Sequence, residues 1–122
     1  MSKTHSIPKS FLYAIRGLSE TFRNEPNFRI QLSGAVLAMV TGVILKISFF
    51  EWIILIITIF LVLLLELINT TFEAMVDLFS PEISEKAGLA KDASAASVFV
   101  ASILAVIVGV MIFLPKMLLL LK

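Results

Sequence analysis

The stretch "WIILIITIFLVLLLELINTTFEAMVD", Trp52 to Asp77, decides the fold. Its first fourteen residues are apolar except for Thr58, the composition of a segment that lives in hydrocarbon. Its last twelve carry Glu66, Asn69, Glu73 and Asp77. At about 100° per residue, spacings of three, four and four put these four side chains within one sector of roughly 80°, with Thr70 close by. A long apolar helix with an acidic stripe along one face is therefore expected. Glu66 lies eleven residues from Asp77, so about 16 Å deeper along the axis. A charge near the bilayer centre costs on the order of 2.5–3.5 kcal/mol on insertion scales, so such residues face a cavity, a cation or a partner. A polar seam gluing helices together is the plain alternative, since Asn and Thr serve that role. Three acids on one stripe repel each other, however, and a hard divalent cation with oxygen ligands relieves that repulsion.

Working outward, two more segments are long enough to span. The expected spans are about 28–48, 52–79 and 93–114, and together they form one domain of 122 residues. The chain is 59% hydrophobic with a mean hydropathy of +1.03, against about 45–50% apolar residues in a soluble domain. In lipid only helices and closed barrels satisfy every backbone group, and three segments of this length point to helices. "LKISFFEW" forms a tight connection with Trp52 at an interface. "SPEISEKAGLAKD" forms the other, with Pro81 and Gly88 as breakers. Residues 10–24, "SFLYAIRGLSETFRN", place Phe11, Ile15, Leu18 and Phe22 on one face, the pattern of an amphipathic helix resting on a membrane surface. The fold class expected is an all-α membrane protein: three transmembrane helices plus this N-terminal surface helix.

Lys3, Lys9, Arg16, Arg23, Arg29, Lys86 and Lys91 lie on one side of the spans, and only Lys46, Lys116 and Lys122 on the other. The positive-inside rule then puts the N-terminus and the 80–92 connection in the cytoplasm. The first apolar stretch is short and broken by charge, which does not read as a secretory signal. No cysteine is present, and His5 is the single histidine, so disulfides, thiolate metal sites and histidine-built zinc sites are excluded. A net charge of +1 gives no argument for nucleic acid. Neither GxxxxGK[ST] nor GxGxxG occurs, so no P-loop or Rossmann site is expected. Small residues recur every fourth position at Gly34, Ala38 and Gly42 and at Ala101, Ala105 and Gly109, a pattern that lets helices approach closely.

Three polar clusters meet at the cytoplasmic end of the spans. "RNEPNFR" offers Asn24, Glu25, Asn27 and Arg29, "AKDASAAS" offers Lys91 and Asp92, and the stripe offers Asp77 and Glu73. Acids, amides and a lysine at one depth suit phosphate with Mg²⁺, which is usually held by one or two carboxylates plus substrate phosphates. A small proton- or cation-coupled transporter subunit explains Glu66 alone, but not this gathering.

On "NEPNFR" (24–29), "ELINTTFEAMVD" (66–77) and "AKDASAASV" (90–98), the chain resembles the small integral-membrane lipid kinases, prokaryotic diacylglycerol kinase and undecaprenol kinase. The resemblance runs from about Tyr13 to Lys116. It implies ATP-dependent phosphorylation of a membrane lipid alcohol, by a homotrimer whose active sites are shared between neighbours. It assigns Glu25 and Glu73 to Mg²⁺ associated with ATP, Asn69 and Asp77 to support of the site, and Lys91, with Asp92 beside it, to the nucleotide phosphates. Tyr13, Arg16 and Gly17 match surface-helix positions that contact nucleotide. Glu66 is the candidate base for the lipid hydroxyl, with Glu73 the rival assignment; the deepest carboxylate is best placed for a hydroxyl arriving from the bilayer. Gln31 stands where the diacylglycerol kinase branch has an acid, and the 80–92 connection lacks that branch's histidine. "LKISFFEWIILIITIFLVLLLE" and "VGVMIFLPKM" look more like the undecaprenol kinase branch, which favours a polyprenol acceptor.

Overall fold

The structure is a computed structural model that describes residues 6–82 and 84–122; Lys3 and His5 lie outside them. Four helices follow in order: α1 (Ile7–Asn24), α2 (Pro26–Ile44), α3 (Phe49–Phe79) and α4 (Glu85–Leu120). The described residues contain no strand. The last three helices are long and apolar enough to cross a membrane.

α1 buries no residue, and its stripe of Phe11, Ile15, Leu18 and Phe22 is exposed, as suits a helix with one face in the headgroup boundary. Glu25 is at once the last cap of α1 and the first cap of α2. Its N–H donates to Thr21 O at 2.8 Å, and Pro26 follows at a position where a helix needs no donor. The elbow is locked from the far side by Arg29, whose Nη1 donates to the carbonyls of Phe22 and Arg23 at 2.9 and 2.8 Å. Those are carbonyls of α1's last turn, which otherwise lack partners. Arg29, grouped by the sequence with the polar ligands of the interface, is thus spent on the fold.

α2 closes with a Schellman pattern: Ile47 N–H to Gly42 O at 3.1 Å and Lys46 N–H to Val43 O at 3.2 Å. Lys46 takes the left-handed conformation, φ 50°, where glycine is the usual residue. α3 then starts on a capping box, Ser48 with Glu51. Of the three glycines in the four-residue repeats, Gly42 is the one hemmed in by its neighbours. A Cβ there would lie 3.0 Å from Trp52 Cη2 and from Ile47 Cδ1, whereas one at Gly34 would meet nothing within 4 Å.

α3 and α4 form the main packing pair. Glu51 bonds Lys116 at 3.2 Å at one end, and Asp77 bonds Lys91 at 2.8 Å at the other, so the two helices run antiparallel. The two ion pairs are separated by about 39 Å of α3, close to the distance between the two headgroup regions of a bilayer. α4 is longer than the span read from sequence. Ser84 caps it by accepting from Ala87 N at 3.1 Å, so residues 85–92 are helical and Gly88 lies inside the helix instead of breaking it. Pro115 also lies within α4. The core is small: Ile47, Leu55 and Ile112, packed with Trp52, Ile59 and Phe113. Most large apolar side chains face outward, as expected where lipid or other subunits complete the burial.

Candidate active site

The stripe on α3 descends from exposed to buried. Asp77 is exposed, Glu73 is half-buried, and Asn69 and Glu66 are buried, at 7% and 2% exposure. Glu66 is the most deeply buried large side chain in the described protein. An isolated carboxylate there would be prohibitively costly, and the structure supplies a partner: Gln31 of α2 donates from Nε2 to Glu66 Oε2 at 2.9 Å. Thr70, on the same face, turns back to its own helix and donates to Glu66 O at 3.0 Å.

One turn nearer the surface, Asn69 Nδ2 donates to Glu73 Oε1 at 3.1 Å and so orients that carboxylate. The other end of the amide, Asn69 Oδ1, is buried with no hydrogen-bond partner. A buried orphan acceptor is costly and rare in folded proteins. Next to a half-buried carboxylate it marks a place for a donor or a cation. At the rim, Lys91 reaches from the first turns of α4 to Asp77 and keeps 37% exposure. Its ammonium is held in place yet open to a phosphate. Asp92 is exposed on the next position of α4.

Glu25 sits at the α1–α2 elbow, half-buried, and makes no side-chain capping bond, which leaves its carboxylate for other work. Among the described residues, no three of His, Cys, Asp or Glu converge as a metal cage. Mg²⁺ needs no such cage: it is commonly held by one or two carboxylates with the remaining positions filled by water and substrate phosphates, and a carboxylate of that type is what Glu73 offers. Tyr13, Arg16 and Gly17 are exposed on α1, and a Cβ at Gly17 would meet nothing within 4 Å.

The direct bond from Gln31 to Glu66 was not read from the sequence. The sequence marks Gln31 only as a departure from the acid of the diacylglycerol kinase branch, and its spacing does not pair it with Glu66. Only the folded chain joins positions 35 residues apart. Gln31 also lines a cavity of about 270 Å³ between α2, α3 and α4, walled by Ala35, Leu55, Val62, Ala105 and Phe113. The buried carboxyl is thereby linked, through one amide, to an apolar space within the membrane-spanning part of the fold.

The model of the family described as prokaryotic diacylglycerol kinase matches residues 12–113. The undecaprenol kinase of Bacillus subtilis (strain 168) is 39% identical over 109 residues, 89% of each chain. The diacylglycerol kinase of Synechocystis sp. is 39% identical over 110 residues, 89% of this chain and 63% of that one. The diacylglycerol kinase of Escherichia coli (strain K12) is 36% identical over 101 residues, 83% of each. With nearly all of the four-helix arrangement and the whole acidic stripe inside the matched region, the chain belongs to the prokaryotic diacylglycerol kinase family.

Proposed function

We propose that this protein transfers the γ-phosphoryl group of ATP to the hydroxyl of a membrane lipid alcohol, giving a lipid phosphate and ADP. The acceptor is undecaprenol or diacylglycerol, with undecaprenol preferred, so the product is undecaprenyl phosphate or phosphatidic acid. The reaction takes place at the cytoplasmic face of the cell (inner) membrane, with the N-terminus in the cytoplasm, in a homotrimer whose active sites are shared between subunits. The single observation that carries this reading is the graded stripe: a carboxyl buried at membrane depth beside an apolar cavity, continuous with carboxylates and a lysine at the water-facing end. A transporter needs a polar path through the membrane. Here the acidic stripe stops at Glu66, the cavity beyond Gln31 is walled mostly by apolar side chains, and its hydroxyls, Thr58 and Ser102, donate back to Ile54 O and Val98 O of their own helices.

Phosphoryl transfer asks a protein mainly for positioning and charge neutralisation. Glu73, steadied by Asn69, and Glu25 at the elbow would hold Mg²⁺, which neutralises the nucleotide's phosphate oxygens. Lys91, held by Asp77 with Asp92 beside it, places a positive charge against those oxygens. Tyr13, Arg16 and Gly17 on α1 cover the nucleotide from the membrane surface. Glu66 takes the proton of the lipid hydroxyl, which arrives from the apolar side. A base must lie within hydrogen-bond reach of the proton it takes, and the deepest carboxyl is the one an alcohol within the bilayer can reach.

The test is transfer of label from γ-labelled ATP in mixed micelles with Mg²⁺, offering undecaprenol and diacylglycerol side by side to the purified protein. Labelled undecaprenyl phosphate in excess over labelled phosphatidic acid is the expected result. Label in neither lipid contradicts the proposal, and ATP-independent ion flux through vesicles would favour a transporter.

A further inference from the structure

Gln31 is bound on one side only. Its Nε2 serves Glu66 at 2.9 Å, while its Oε1 is buried and has no partner. Helix glue would satisfy both ends of the amide, because an unmade buried hydrogen bond costs more than a made one gains. The bare acceptor therefore points to a state of the site in which a donor is present. The group nearest to hand that can become a donor is Glu66 itself. A carboxylate only accepts, but a protonated carboxyl carries one O–H. A primary amide matches a carboxylic acid twice, with N–H to one oxygen and the acid's O–H to the amide oxygen.

Resting on the reading of Glu66 as the base, we propose that Gln31 is the positioning residue of the acceptor step. Before transfer, its N–H fixes the Glu66 carboxylate and leaves the second oxygen for the lipid hydroxyl. In the step, the lipid O–H bond breaks and its proton passes to Glu66. The lipid oxygen bonds the γ-phosphorus as the bond from that phosphorus to the bridging oxygen breaks, and ADP leaves. After transfer, the Glu66 O–H donates to Gln31 Oε1. The neutral amide thus serves both protonation states of a group that changes charge during each turnover. An apolar side chain at this position would leave the carboxylate, 2% exposed, without its partner. Because Gln31 also lines the cavity, it stands where the acceptor's polar end meets the carboxyl.

The experiment compares Gln31→Met with wild type in the mixed-micelle assay, alone and in a Glu66→Gln background. Loss of a hydrogen bond to a charged group is expected to lower kcat by about 10- to 100-fold, with KM for ATP held within about twofold. In the Glu66→Gln background the methionine is expected to remove no further residual rate, since both changes act through one group. A second readout is thermal unfolding and assembly state. If Gln31→Met is destabilised or fails to assemble, Gln31→Met with Glu66→Gln is expected to recover, because the unpaired buried charge is gone. The proposal is overturned by wild-type kcat in Gln31→Met, by equal losses in both backgrounds, by a change confined to KM for ATP, or by a double variant that still fails to fold. Wild-type protein that labels neither lipid sinks the kinase reading and this inference with it. Lipid labelling left unaffected in Gln31→Met sinks this inference alone.

Discussion

Replacing Asn69 with leucine separates a residue that serves chemistry from one that glues helices. Asn69 is buried, gives one N–H to Glu73 at 3.1 Å, and leaves Oδ1 bare. Leucine has a similar volume and removes both features at once. Losing a hydrogen bond to a charged group costs about 1.5–3 kcal/mol, but Glu73 is half-exposed and solvent screening lowers this to about 1 kcal/mol. Removing a buried unsatisfied acceptor returns about 1–3 kcal/mol. The two nearly cancel, so Asn69→Leu is expected to unfold within about 1 kcal/mol of wild type, or slightly above it. Function should behave differently. Glu73 loses the group that orients it, and if Glu73 holds Mg²⁺ as proposed, losing such a partner costs about 10- to 100-fold in metal affinity or activity. The assay pairs thermal unfolding in detergent with phosphate transfer measured against Mg²⁺ concentration. A variant that melts well below wild type yet transfers phosphate normally would refute the reasoning and make Asn69 helix glue.

Two further changes probe the end of the bundle away from the stripe. Gly42→Leu forces side-chain atoms into Trp52 and Ile47, which already stand 3.0 Å from where a Cβ would sit, and is expected to cost about 1–3 kcal/mol in thermal unfolding. Lys46→Gly relieves the left-handed φ of 50° and is expected to raise stability by about 0.5–1 kcal/mol, measured the same way, with no change in transfer rate.

The acidic stripe was legible because a helix converts spacing into direction. Three, four and four could only be one face, and the structure grades that face from Asp77 at the rim to buried Glu66. The surface helix was legible for the same reason, through Phe11, Ile15, Leu18 and Phe22. What the sequence hid depends on contacts between helices or on local competition. The Gln31–Glu66 bond needs α2 and α3 side by side. Arg29 looked like a ligand until the elbow turned it onto the carbonyls of α1. Gly88 looked like a breaker, but the Ser84 cap starts α4 upstream of it, and one glycine costs a helix only about 1 kcal/mol.

The central claim is that the carboxylates of α3 handle a metal–nucleotide complex and do not merely pack helices. Glu73→Gln tests it most directly, because the amide keeps the shape and the bond to Asn69 can re-form while the negative charge is lost. Transfer of labelled phosphate to lipid at saturating Mg²⁺ is expected to fall by about 100-fold or more, with assembly and thermal unfolding near wild type. Transfer at the wild-type rate in a normally assembled Glu73→Gln protein would contradict the account.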